Sequence, residues 1–430
     1  MKTFISFICI LLCIQLYSQR NTPFELGKYD QLYSNVYKYN REFVVYVPAS
    51  GDTSVRNTYP VMYLLDGENL FLKTVGMVEH LSGAYGGERC PGMIVVGIFH
   101  KNRMQDLLPV HDTANPEKTE PFTEFLEKEL IPYIDKNYPT QAYRLLAGHS
   151  LGGLRAANTL IYHPHIFNAY ISLDPSMGHD FNVWSFRTDE ALKKKAFDNK
   201  SMFVGMAHTM PQGMDTASIN RDGSGAARHM RAIMRFCNAI ETHKNQGLDF
   251  NWKYYPEETH ASLTFIGMFE GLKSVFSWYH NKDYGKIFEP STGDSDATRI
   301  ITSKYILISQ KMGYEVLPSE AYVMNIIRYL QRKEMYRKAY YFAELNVKNH
   351  PESNNARICF NELRWYLKKP LPEISAAKIR KLCLKESKKP EPEYNISEYA
   401  LNVLGYQFLQ NNNLKDALLL FQVNTELYPT

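Results

Sequence analysis

The sequence predicts an α/β protein: a mostly parallel sheet covered by helices on both faces, followed by an all-α region. Three observations carry this. Short Val- and Tyr-rich runs alternate with helix-like stretches from Asn35 to about His280, the pattern of parallel strands joined by crossover helices. The run Met93–Phe99 (MIVVGIF) is apolar at nearly every position, as a strand buried on both faces must be. Beyond Asp283 strand-like runs become scarce, and Leu, Ala, Lys, Glu and Asn dominate.

Taken in order, the chain opens with Lys2, an apolar run from Phe4 to Leu16, and then Tyr17-Ser18-Gln19. This reads as a secretory signal over residues 1–18, cut after Ser18. The run is too short for a permanent bilayer span of about 20 residues. Leu11 and Leu12 are too bulky to make Cys13 a lipoprotein site. Export to the periplasm or beyond is expected, with no integral membrane segment after cleavage.

A first domain over 19–285 then offers strands at Arg41–Pro48, Tyr59–Leu65, Met93–Phe99, Tyr143–Ala147, Ala169–Leu173, Ser201–Met206 and Phe250–Tyr255. Between them, Phe122, Phe125, Leu126, Leu130, Ile131 and Ile134 fall on one face of a helix over Phe122–Tyr138. Glu289–Asp296 is polar and breaker-rich, a linker signal. In the helical region 298–430, Leu401, Leu404, Gly405, Phe408, Ala417, Phe421 and Pro429 have tetratricopeptide-like spacing. Val323, Ile326, Leu330, Ala339 and Pro351 form a weaker copy, and Lys385–Glu393 reads as a loop between the two. Two units are fewer than the roughly three a free solenoid needs, so these helices should lean on the first domain or bind a protein partner.

Composition narrows the function classes. Of 430 residues, 44% are hydrophobic and 22% charged, which excludes a disordered or fibrous chain. Lys plus Arg number 49 against 45 Asp plus Glu. The longest basic run is only Lys193–Lys195, which reads as a solvated helix face. Neither nucleic acid nor a polybasic membrane contact is implied. Cys9 and Cys13 leave with the signal. Cys90, Cys237, Cys359 and Cys383 are too sparse for a disulfide framework and form no CxxC pair. Buried thiols are expected, with a Cys359–Cys383 bridge as the alternative.

The stretch Tyr143–Gly153 (YRLLAGHSLGG) carries the chemistry. It places Gly148, Ser150 and Gly152 as G-x-S-x-G between a strand and a helix starting near Leu154. Side chains two before and two after the serine would collide in so tight a turn, hence the glycines. The corner exposes the Ser150 hydroxyl, which needs a base to act as nucleophile. Of 13 histidines, His260 fits that base, lying after the strand Phe250–Tyr255 and before a helix over Phe265–Tyr279. His149 is expected to point away from the reacting face. The acid must follow a strand between Ser150 and His260. Asp215, the first carboxylate past Ser201–Met206, leads, with Asp174 and Asp222 as alternatives. Two backbone N–H donors must meet the oxyanion. Leu151 follows the nucleophile directly, and Glu68 follows Gly67 in the loop after the strand Tyr59–Leu65.

In combination, Tyr63–Gly67 (YLLDG), Asp106–Pro109 (DLLP), Phe122–Tyr138, Gly148–Gly153 and the His260 segment resemble the esterase D-type esterase family, over about residues 30–280. That family has the α/β-hydrolase fold and includes siderophore esterases, feruloyl esterases and mycolyltransferases. The resemblance implies Ser150 as nucleophile, His260 as base, and Glu68 and Leu151 as oxyanion donors. It departs after the second-last strand, where no Asp or Glu follows at once, and some relatives work with a Ser–His dyad. The reading is an exported serine esterase acting on a small-molecule or glycan-linked ester, with no metal or organic cofactor. An acyltransferase, a peptidase, and a non-catalytic partner-binding module are the alternatives.

Overall fold

Eight strands form one sheet in the order β1-β2-β4-β3-β5-β6-β7-β8. They are β1 (Lys28–Ser34), β2 (Tyr39–Tyr46), β3 (Tyr59–Leu64), β4 (Ile94–Ile98), β5 (Thr140–His149), β6 (Ala169–Leu173), β7 (Ser201–Ala207) and β8 (Asp249–Tyr255). The computed structural model describes residues 25–48, 58–83, 87–109, 120–180, 189–190, 192–193, 196–210, 218–243 and 247–429. The expected signal at 1–18 lies outside them, as does Asp215. β3 to β8 run parallel, while β2 pairs antiparallel with both β1 and β4.

Burial follows position in the sheet. β4, β6 and β7 are buried at every residue, whereas the edge strands β1 and β8 alternate between exposed and covered positions. β1 has no counterpart in the sequence reading, because an edge strand covered on one side carries little apolar signal. Alternate strand residues such as Tyr63, Val96, Leu146 and Tyr170 meet the helices Leu151–Tyr162 and Gly225–Thr242 on one face. Ile171, Leu173 and Phe203 meet the helix Leu263–Val275 on the other.

The helix expected over Phe122–Tyr138 is present but uneven. Pro121–Phe125 and Ile131–Asn137 are α-helical, and Leu126–Leu130 between them is a π-turn. Pro132 supplies no N–H to the ladder, and widening the preceding turn accommodates that gap. His149 and Ser150, the β3 end at Asp66, and Asp174 after β6 all fall at the carboxyl edge of neighbouring parallel strands, where open α/β sheets bind ligands.

The chain divides into two compact units, one reaching His280 and the other starting at Asn281. In the second, seven α-helices occur among the described residues: Asp294–Met312, Glu320–Arg332, Tyr336–Asn349, Asn354–Leu363, Ala376–Glu386, Glu398–Gln410 and Leu414–Leu427. The expected linker ends early, since Asp294–Asp296 already form the first turn of a helix. Likewise Lys385 and Glu386, read as loop, belong to a helix. Of the repeat-like positions, Val323, Ile326, Leu330, Ala339, Leu401 and Ala417 are buried. A Cβ on Gly405 would lie 2.6 Å from the Phe421 ring, so a small residue there lets the last two helices close. Cys90, Cys237, Cys359 and Cys383 are all free and buried, which removes the Cys359–Cys383 bridge. No described helix is long and apolar enough to cross a membrane.

Gly67 is a tight joint between sheet and helix near the site. A Cβ there would sit 2.4 Å from the carbonyl carbon of Gly97 on β4, and backbone cannot yield as a side chain can. Gly67→Ala should therefore destabilise the first unit by about 1–3 kcal/mol, read from the shift in its urea unfolding midpoint.

Candidate active site

The turn between β5 and the helix Leu151–Tyr162 holds Ser150 at φ 59°, ψ −116°, a conformation side-chain-bearing residues rarely adopt. Its necessity is steric. A Cβ on Gly148 would come within 2.4 Å of the Gly152 backbone, and one on Gly153 within 3.0 Å of the Leu173 carbonyl oxygen. The Ser150 N–H donates to Leu173 O (2.9 Å), extending the β5–β6 pairing through the strained residue. Its Oγ lies 3.1 Å from Ser176 Oγ, and the Ser176 N–H donates to the Ser150 carbonyl at 3.1 Å.

Asp174 immediately follows β6 and is fully buried. Its backbone turns left-handed (φ 41°) while its N–H still bonds Gly205 O on β7 at 2.7 Å. This turns the carboxylate toward the loop after β8. One oxygen, Oδ1, accepts the Ala207 N–H at 3.0 Å. The other, Oδ2, lies 2.5 Å from His260 Nδ1 and 3.1 Å from His229 Nε2. The His229 nitrogen is buried and has no well-formed hydrogen bond. Burial alone would push the Asp174 carboxyl up. The two imidazoles and the Ala207 N–H outweigh that and hold it well below the usual carboxylate range, so it is ionised at any working pH.

Asp174 was the second of the three candidate acids. Asp215, the first, lies outside the described residues. Asp222 is engaged elsewhere: its carboxylate accepts the Ser224 N–H (2.8 Å) and Oγ–H (2.9 Å) at the start of the helix Gly225–Thr242.

His149 departs from expectation. Its ring centroid is 4.4 Å from that of His260, and its Nε2 contacts the His260 carbonyl oxygen at 2.7 Å. The sequence does not reveal that the loop after β8 folds back over the end of β5. Burial, reinforced by the neighbouring His260, pulls the His149 pKa down to about 4. With its ring neutral, His149 packs on His260 without charge repulsion.

The two expected backbone donors occupy comparable places. Leu151 is the first residue of its helix, and Glu68 the second of the helix Gly67–Ser82, so both N–H groups lie among first-turn donors that no helix carbonyl can satisfy. The positive φ before Glu68 is at Asp66 (φ 56°) rather than at Gly67, whose need is the close approach to Gly97. Arg103 fixes this corner. Its Nε and Nη2 bond the two Asp66 carboxylate oxygens at 2.5 and 2.9 Å, and Nη2 also reaches His149 O at 3.2 Å. A bidentate fork of this kind sets angle as well as distance. Sequence reasoning missed Arg103, Asp66, Ser176 and His229. Asp66 and Ser176 flank residues that it had singled out, but no local signal marks Arg103 or His229.

The family model described as "Putative esterase" matches residues 34–255, just over half of the chain. The chain belongs to this family. A solved IroE-like serine hydrolase from Shewanella oneidensis is similar at 28% identity and TM-score 0.59, covering 74% of this chain and 98% of that one. An uncharacterised protein from Capnocytophaga ochracea, 16% identical with TM-score 0.57, covers 91% and 99% and shows the fold alone. The ferri-bacillibactin esterase BesA of Bacillus subtilis is 27% identical over 158 residues, 32% of this chain and 55% of its own length. The chain thus spans little more than half the length of that curated relative. Its mostly parallel sheet and the elbow at Ser150 are those of an α/β-hydrolase fold.

The depressed His149 pKa has a consequence for stability. In the folded protein His149 stays neutral down to about 4, while unfolded it takes up a proton near 6.5. Between these values the unfolded state binds more protons, so stability falls as pH drops from about 6.5 to 4. His149→Gln should remove on the order of 2 kcal/mol of that decline, measured as urea stability at pH 7 and pH 4.5.

Proposed function

We propose that this esterase hydrolyses carboxylic esters through a Ser150 acyl-enzyme, with His260 as general base and Asp174 as the acid that holds it. The observation that carries this is the contact of His260 Nδ1 with the buried Asp174 carboxylate, 2.5 Å, two residues before the Ser176 that bonds Ser150. A single short segment after β6 ties nucleophile and base together.

In the reaction, Ser150 Oγ attacks the ester carbonyl carbon as its proton passes to His260 Nε2. The tetrahedral oxyanion is met by the Leu151 and Glu68 N–H groups. Collapse expels the alcohol, which takes the proton from His260 and leaves the acyl group on Ser150. Water then repeats the attack with His260 again as base, releasing the acid and restoring the serine. Asp174 keeps the Nδ1 proton in place, so that Nε2 remains free to accept, and stabilises the imidazolium that forms.

The name of the Bacillus subtilis relative points to ferri-bacillibactin as a first natural ester to try, beside simple acyl esters of varied chain length. The signal-like start and the tetratricopeptide-like spacing suggest export and a helical partner-binding region.

A fluorophosphonate probe should label the wild type and fail to label Ser150→Ala, with turnover down on the order of a million-fold. Asp174→Asn should lower kcat by roughly 10⁴-fold through the wrong His260 tautomer, with KM little changed. Asp215→Asn is the paired control. A large loss from Asp215→Asn beside a small one from Asp174→Asn would return the acid to the strand after β6.

A further inference from the structure

We propose that Asp174, His229 and His260 form a binding site for a zinc-type divalent cation, and that a bound cation switches the esterase off. The second half rests on the esterase reading of His260; the first does not.

One carboxylate oxygen of Asp174 and one imidazole nitrogen each of His229 and His260 all lie within 4.8 Å of one another, and Asp174 Oδ2 is the atom nearest to His229 Nε2 and His260 Nδ1. They come from three separate elements: the end of β6, the helix Gly225–Thr242 and the loop after β8. The carboxylate is fully buried and ionised. The His229 nitrogen faces it at 3.1 Å without making a hydrogen bond. A triad needs only one histidine on this oxygen, so the proton relay proposed above does not account for the second imidazole. Two nitrogen donors and one carboxylate oxygen suit zinc and its neighbours rather than magnesium or calcium, which prefer all-oxygen sites.

The two separations that involve Asp174 need only a small adjustment. Zinc ligand distances of about 2.0–2.2 Å place tetrahedral donors roughly 3.3 Å apart. The His229–Asp174 separation already matches that value, and the His260–Asp174 pair at 2.5 Å must open by less than 1 Å. His260 can make that move, because its side chain is 43% exposed, and the same exposure gives a cation its path in.

Shutdown follows from tautomer chemistry. A neutral imidazole that binds metal through Nδ1 carries its proton on Nε2. For His260 the proton now on Nδ1 therefore shifts to Nε2, and none is lost. Nε2 then donates rather than accepts, so it cannot take the Ser150 proton. The cation also takes the carboxylate that would stabilise the imidazolium.

The test is zinc binding by the full-length protein, read by competition with a chromogenic chelator, beside ester turnover in the same solutions. The wild type should bind one zinc per chain and lose turnover with the same midpoint, regaining it on EDTA. Even an outer-shell partner of a metal site typically contributes 10–100-fold, so loss of a ligand in His229→Gln should weaken binding at least about a hundredfold. Whatever turnover that variant shows without zinc should persist at zinc concentrations that stop the wild type. His229→Asn serves if the Gln variant does not fold. His165→Gln, which removes an imidazole paired with Glu127, should bind zinc normally. Ser150→Ala should also bind as the wild type does, which keeps the binding result independent of the catalytic reading. Equal zinc affinity in the wild type and the His229 variants, or no zinc bound by the wild type, would overturn the site. Zinc bound without loss of turnover would overturn the switch.

Discussion

The buried carboxylate of Asp174 is the constraint around which the first unit is arranged. Taking an ionised carboxylate out of water costs several kcal/mol unless donors replace the lost solvation. Here the replacements come from the Ala207 N–H at the end of β7 and from His260 on the loop after β8, with the His229 imidazole adding its field. Each of those elements must therefore reach the end of β6. The strand order meets this requirement because β6 lies between β5, after which the chain turns at Ser150, and β7, which carries the amide donor.

The same edge of the sheet concentrates backbone strain. Asp66, Ser150 and Asp174 have φ of 56°, 59° and 41°, and they follow β3, β5 and β6, three neighbouring strands. Conformations of this kind cost of order 1–3 kcal/mol each and persist only where the surroundings hold them. What holds them is specific: the Arg103 fork on Asp66, the Ser150 N–H on Leu173 O, and the Asp174 N–H on Gly205 O. The last two continue the strand ladders past their ends, so sheet hydrogen bonding offsets part of the strain. Arg103 also bonds His149 O, which links the corner after β3 to the turn at Ser150.

The second unit follows a different logic. Its helices close on small residues, as where Gly405 admits the Phe421 ring, and its two apolar clusters are built around Val323, Ile326 and Leu330 and around Ile379, Leu401 and Leu420. Among its described residues no glycine turn presents a serine, and the strained residues that cluster in the first unit have no equivalent grouping. Packing is what these residues provide.

What the sequence by itself determined was local. Gly148, Ser150 and Gly152 announce their turn because collisions within five residues leave few alternatives, and His260 is marked by its place between a strand and a helix. The apolar runs of β4 and β6 are legible for the same reason, while β1, half exposed at an edge, is not. Only the tertiary structure decided which carboxylate His260 meets. Asp174 and His260 are 86 residues apart, and their contact depends on the order and register of β6, β7 and β8. The return of the loop after β8 over His149, and the arrival of His229 on a helix from elsewhere, depend on that same packing. A steric rule written into a pentapeptide can be read directly, but a contact that exists only once three strands are side by side leaves no local trace.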